Sequence, residues 1–377
     1  MRQIRNAMQV NDNQPADGRI PELFFALIRC GIGTADTLPH QPTAKEWEEL
    51  LDVSQKQAVV GIAYSGIERL PKEQHPPKQI LISFFQASEA IRESNIRNNR
   101  ISAAVSRKFA EDGFPCTILK GQGIAQLYPD PYRRTPGDTD IWLDGKSGRI
   151  LNYVRKYFPA CTPTYHHVNF PIKKGVDIEI HFTPSWMHSP FRNRRLQKFF
   201  TRESARQFSN IIATAEGNFP APTLEFNRIY ILLHIFRHIF QEGIGLRQLI
   251  DYYFVLDKGI TPAEKAECKR MLKALGLSRF AAATMYMLKE QLGLAEEKLL
   301  LKPDVRRGKF LLAEIMIAGN FGKYDSRYAI VPKENELRHF LNSMQRTARL
   351  VSQYPSEAIW SPYFKAWHFF WRKHHSK

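Results

Sequence analysis

The chain has 377 residues, 43% hydrophobic and 12% aromatic, enough apolar surface to bury a core, so disorder is not the expected state. Its net charge of +17 and isoelectric point near 9.7 favour phosphate-bearing partners such as nucleotides, nucleic acid or anionic lipid headgroups. No apolar run is long enough to cross a bilayer, and the opening stretch MRQIRNAMQVNDNQPADGRIPE lacks the apolar middle of a secretory signal, so a cytoplasmic protein is the simplest expectation.

Residues 1–19 read as a flexible N-terminus and 20–113 as a helical region. ELFFALIRCGI and AKEWEELLDVSQKQAVVGIAYSGIERL repeat apolar residues at spacings of three and four, and a single long helix is expected over 80–112, ended by Gly113. The texture then changes. PCTILK reads as a strand, GQGIAQLY as a short helix, DTDIWL as a second strand and GRILNYVRKYF as an amphipathic helix. PTYHHVNFPIKKGVDIEIHF reads as two strands joined at Lys173-Lys174-Gly175. With a further strand at SNIIATA, residues 114–215 form an expected α+β core, and 216–377 return to helices, the first capped by Thr223. Cys30, Cys116, Cys161 and Cys268 form no C-x-x-C pair, which argues against a zinc ribbon or a disulfide framework.

Strand alternation puts Asp138 and Asp140 on one face, with Thr139, Ile141 and Leu143 on the other. In VDIEIHF, Val176, Ile178, Ile180 and Phe182 share an apolar face, and Asp177, Glu179 and His181 share an acidic one. If the two strands are neighbours, the carboxylates converge and repel one another unless something compensates. A divalent cation with oxygen ligands is the usual compensation, and such sites serve phosphoryl transfer. A solvated acidic strand face is the plainer alternative. Ahead of the pair, Lys120-Gly121 closes a strand and opens a helix, a place where a glycine backbone and a helix N-terminus can approach phosphate. It is neither a P-loop nor a Rossmann fingerprint.

This order resembles the nucleotidyltransferase superfold of DNA polymerase beta and kanamycin nucleotidyltransferase. More closely, the chain resembles the bacterial uncharacterised nucleotidyltransferase family. The carriers are LKG at 119–121, YP at 128–129, RRTPGDTDIWL at 133–143, IEIHF at 178–182 and LLHIFRHIFQEGIGLRQLID at 232–251. The resemblance implies a nucleotidyltransferase-type mixed sheet embedded in a largely helical chain. It implies transfer of a nucleoside monophosphate from an NTP, with magnesium, or manganese in its place, as cofactor. Asp138, Asp140 and Glu179 would be catalytic and would hold the metal, with Asp177 as the rival or additional ligand. Lys120, Gly121, Gln122, Arg133, Arg134 and Arg247 would contact the nucleotide. Gln122 stands where the superfold has a second glycine or serine, and the spacer to Asp138 is longer than usual. That departure keeps an alternative open: a non-catalytic module of the same fold that binds nucleic acid or another polyanion.

Other motifs weigh less. His234 and His238 share a helix face but lack the glutamate of a zinc-protease motif, so they read as packed or site-lining residues. Arg247 and Asp251 are spaced as an intrahelical ion pair. Of His166 and His167, alternation allows at most one to join the acidic side. RNRRLQKFF at 192–200 reads as a solvated basic face, or else as a phosphate contact. The tail PYFKAWHFFWRKHH could lie on an anionic membrane surface, though docking on the helical body is the expectation. The acceptor is expected to be a small molecule, in a pocket shaped by Trp186, Tyr252 and Tyr253, with nucleic acid less favoured. The oligomeric state is left open.

Overall fold

A computed structural model describes residues 19–171, 177–328 and 336–375. The expected flexible N-terminus and the expected Lys173-Lys174-Gly175 turn fall almost wholly or wholly outside the described residues. The first helices are α1 (Arg19–Ile32), α2 (Ala44–Lys56) and α3 (Val60–Arg69). α2 starts where Thr43 and Glu46 close a reciprocal capping box. The long helix α4 (Lys78–Glu111) runs for 34 residues and stops at Asp112-Gly113, with Gly113 at φ +80°.

A four-stranded sheet follows, in spatial order β1-β2-β4-β3. It is built from β1 (Cys116–Leu119), the short helix α5 (Gly121–Ala125), β2 (Thr139–Leu143), α6 (Ser147–Tyr157), β3 (His167–Pro171) and β4 (Asp177–His181). β2 runs parallel to β4, and the other two pairings are antiparallel. The register makes straight rows across the sheet. Ile118, Ile141, Ile180 and Val168 form an aliphatic row. It is buried with Phe109 of α4 and Ile150 and Val154 of α6 in a core on one side of the sheet. The next row, one residue along and therefore on the opposite face, is Leu119, Asp140, Glu179 and Asn169.

α7 (Pro190–Ser209) leads into β5 (Ile211–Thr214) and β6 (Gly217–Pro220). The sequence signals only the first strand of this hairpin, because Gly217-Asn-Phe-Pro220 has almost no alternation and Gly217 takes φ +140°. Helices complete the chain: α8 (Leu224–Gln241), α9 (Leu246–Asp257), α10 (Pro262–Leu275), α11 (Ser278–Glu290), α12 (Val305–Ala318), α13 (Glu336–Leu350) and α14 (Pro355–His375). Thr223 caps α8 by accepting from the Phe226 amide, as its position predicts. The architecture is mixed α+β, a small sheet within a largely helical chain.

One hydrophobic core joins α1–α3 to α8–α12, so helices from both ends of the sequence pack together. Trp142 leaves the acidic face of β2 to enter this core, stacking near Phe226 and Phe208. β2 is consequently buried on both faces. The loop between α5 and β2 is tied to this core by Arg134, whose Nε and Nη2 donate to the two carboxylate oxygens of Asp251 at 2.7 and 2.8 Å. Tyr128 adds a third donor to Asp251 at 2.7 Å. Both charged side chains are almost fully buried.

Removing one partner of such a pair strands the other charge in the interior. Asp251→Ala is expected to lower stability by about 3–5 kcal/mol, and the double change Arg134→Leu/Asp251→Leu to recover much of that loss. Denaturant unfolding of the wild type and the variants measures both.

Candidate active site

The site begins at a strained turn. Lys120 leaves β1 with φ +53° and ψ −140°, a conformation that costs on the order of 1–3 kcal/mol for a residue with a Cβ. Gly121, at φ +37°, follows and opens α5 beside the carbonyl oxygen of Asp138. The turn directs the Lys120 ammonium onto Asp140, with Nζ 2.9 Å from Oδ2. The other Asp140 oxygen accepts from His181 Nε2 at 2.8 Å. The same nitrogen lies 3.4 Å from Glu179 Oε2, and Glu179 Oε1 lies 3.7 Å from His167 Nε2. One ligand atom each from Asp140, Glu179 and His181 fall within 4.8 Å of one another, a grouping that could hold a metal ion.

The electrostatics follow from burial and pairing. Desolvation alone would raise Asp140, but Lys120 and His181 outweigh it and hold the carboxyl well below the usual carboxylate range. Glu179 is likewise pushed up by burial and carried below its ordinary value by the hydrogen bond from His181. His181 is lowered by burial and, more strongly, raised by Asp140 and Glu179. His167 drops to about 4 through burial and the neighbouring His181. Asp138 stands at the exposed entrance to β2, where partial desolvation and the charges of Asp140 and Glu179 raise it.

Two residues of α8 are near enough to feel the charges of the site. Tyr230 is raised by burial and then by the charge of Asp140, and His234 is lowered by burial and then by Lys120, so both sense the site. Arg237 lies over the ring of Trp186, which in turn packs against His166 at 3.8 Å between ring centroids. His166 and His167 both belong to this cluster, their ring nitrogens 2.9 Å apart. Alternation excludes one of them only inside a strand, and β3 begins at His167.

The expected site residues divide. Asp140 and Glu179 face each other on one rung of β2 and β4, whereas Asp177 is exposed at the start of β4. Lys120 and Gly121 are at the site, and Asp138 is near enough to feel Asp140 and Glu179 but is not among the three residues whose ligand atoms fall together. Arg247 reaches its edge, donating to the carbonyls of Thr135 and Pro136 at 2.9 and 3.0 Å, while its buried Nε has no protein partner among the described residues. Three expected nucleotide contacts are committed elsewhere. Gln122 is buried and donates to Asn99 at 2.6 Å. Arg133 bridges Ser88, Glu68, Glu89 and Asp130 over the ring of Tyr64. Arg134 is held by Asp251, which also removes the expected Arg247–Asp251 pair. Tyr252 and Tyr253 are buried in the helical core rather than lining the cleft. His238 turns to Glu242 at 2.6 Å and shares no metal-ligand group with His234 among the described residues. The sequence did hold a signal for His181, which lies two residues after Glu179 on the same strand face.

A family model described as "Uncharacterised nucleotidyltransferase" matches residues 43–293, a span that contains every residue of this site. No curated protein matches the chain. Among solved structures, the chain is similar to an antigenic nucleotidyltransferase-like protein from Paracoccidioides brasiliensis. The identity is 13%, over 52% of this chain and 91% of that one, with a TM-score of 0.30.

Pairing separates the two aspartates energetically. Asp140→Ala leaves Lys120 and His181 uncompensated and is expected to cost about 3–5 kcal/mol, whereas Asp138→Asn, which relieves repulsion, should be neutral or stabilising. Because the folded state raises His181, its contribution is complete below about pH 6.5 and is lost as pH rises through the folded value. Thermal unfolding without added metal should therefore show a larger Asp140→Ala penalty near about pH 6 than near about pH 9.

Proposed function

Since the chain belongs to the uncharacterised nucleotidyltransferase family, we propose that it transfers a nucleoside monophosphate from an NTP to an acceptor hydroxyl or phosphate, releasing pyrophosphate. The observation that carries this reading is the in-register pairing of Asp140 with Glu179, beside the exposed Asp138 and behind the Lys120-Gly121 turn. The donor set fits a divalent cation: oxygens of Asp140 and Glu179 and, once it has released its proton, a nitrogen of His181 are close enough to share one ion. Bound there, magnesium or manganese supplies Lewis-acid stabilisation of charge on the transferred phosphoryl group.

The chain's own residues do the rest. Asp140 on β2, with Asp138 just ahead of the strand, would hold the cation. Glu179 completes the set from the neighbouring strand and is placed to take the acceptor proton. Its rung position supports it over Asp177 as the third carboxylate. Lys120 balances the charge of Asp140 and stands ready to turn its ammonium to a phosphate. Arg247 of α9, seated on the carbonyls of the loop that precedes Asp138 and with a buried nitrogen lacking a protein partner among the described residues, is the side chain placed to contact the triphosphate. Gly121 lets the phosphate chain approach the backbone at the start of α5. His166, Trp186 and Tyr230 form the walls that receive a small-molecule acceptor and keep water out.

A second reading is favoured by one observation. Lys120 and His181 already neutralise Asp140, so its charge is balanced without a metal and the fold could serve as a non-catalytic module that binds a polyanion. Calorimetry with each NTP, with and without the cation, separates the two: metal-dependent NTP binding supports the enzyme, and salt-sensitive polyanion binding without metal supports the module. Incubation with labelled NTP and a cell extract, followed by separation of protein, RNA and small molecules, identifies the acceptor class.

Two outcomes are expected. Asp138→Asn and Glu179→Gln should reduce label transfer to background while leaving the thermal transition in place, and full transfer by the double variant would overturn the mechanism. Magnesium is a hard ion served by oxygen ligands, so an imidazole in the donor set disfavours it relative to a transition-metal ion such as manganese. Manganese should therefore bind more tightly than magnesium by calorimetry, and His181→Asn should narrow that difference.

A further inference from the structure

We propose that the outward face of α14, together with the basic face of α7, is a docking surface for an anionic lipid bilayer. α14 has two unlike faces. Its inner face is tied down: Glu357 accepts from the His188 amide at 2.7 Å, Phe364 packs on Trp186, and His368 accepts from the Tyr165 amide. Its outer face carries Ile359, Tyr363, Trp367 and Phe370, which are 57%, 68%, 45% and 69% exposed. Their spacings of four, four and three residues make one stripe along the helix. Glu357, the helix's acidic residue, is buried, so no carboxylate interrupts that stripe.

α7 supplies the charge. Phe191 is 71% exposed, and its ring lies 6.3 Å from Trp360 of α14, which joins the two helices at this point. From Phe191, the exposed cations Arg194, Arg195, Lys198 and Arg202 follow at three, four, seven and eleven residues, on the same helix face. Arg195 also donates to the Ala274 carbonyl, and Arg202 pairs with Glu203, but both side chains remain at the surface.

An exposed stripe of Trp, Tyr, Phe and Ile bordered by Arg and Lys matches the two layers of a membrane surface. The rings enter the boundary between headgroups and acyl chains, and the cations meet lipid phosphates. A protein partner would more often meet an apolar stripe with a groove or with acids of its own, whereas the +17 charge of this chain complements an anionic sheet. The association is peripheral: among the described residues, no helix is long and apolar enough to cross a membrane.

The test uses the full chain and vesicles of phosphatidylcholine with and without phosphatidylglycerol. The protein should co-sediment with the anionic vesicles and be released by salt, and its tryptophan emission should shift to the blue on binding. Tyr363→Asp/Phe370→Asp should weaken partitioning at least about tenfold, and Arg194→Glu/Lys198→Glu should do so for anionic vesicles. All four positions are exposed, so an unchanged thermal transition confirms that the variants are folded. Absence of partitioning at low salt, or equal partitioning by Tyr363→Asp/Phe370→Asp, would overturn the proposal. So would binding to an RNA homopolymer that those substitutions abolish while anionic vesicles are ignored.

Discussion

A carboxylate buried inside a sheet is unfavourable unless opposite charge reaches it, and Asp140 is where this chain meets that constraint. The parallel pairing of β2 with β4 brings Glu179 alongside, which by itself would make matters worse. Lys120 and His181 resolve the conflict from two sides. Lys120 does so at the cost of a backbone conformation that residues with side chains rarely adopt, and His181 by lying two residues beyond Glu179 on the same face of the same strand. The strain at Lys120, the raised proton affinity of His181 and the acidity of Asp140 are consequences of one arrangement.

Three arginines around the loop before Asp138 have separate tasks. Arg133 holds the loop to α3 and α4 through carboxylates and the Tyr64 ring. Arg134 anchors it to α9 through Asp251. Arg247 reaches back from α9 to the loop carbonyls and keeps one nitrogen without a protein partner among the described residues. The first two stabilise the position from which Asp138 enters the sheet. That division shows why positive charge alone is a poor guide to free cations: a guanidinium held by carboxylates is fixed in place, with its charge balanced and fewer of its five donors left to offer.

The aromatic residues divide in the same way. Trp142 leaves the acidic face of β2 for the helical core, and Trp186 stays beside the site between His166 and Arg237. Phe364 of α14 packs on Trp186, so the last helix forms the outer layer of the same wall. The docked inner face agrees with the reading of the tail as a helix held on the body, while the exposed outer stripe is what composition led one to expect of a membrane-surface helix.

Much was legible in the sequence because it is local. Alternation placed Glu179 with His181, since successive strand residues must face opposite ways. Thr223 and Gly113 marked helix ends because capping depends on a few neighbouring residues. The tertiary structure decided what depends on distant partners. The register that sets Asp140 beside Glu179 joins strands separated by α6 and β3. The pairing of Arg134 with Asp251, in place of Arg247, spans 117 residues. Gln122 became a buried strut because Asn95 and Asn99 of α4 happen to lie above it. Periodicity reports which face a side chain occupies, and only the packing of elements far apart in sequence determines what waits on the other side.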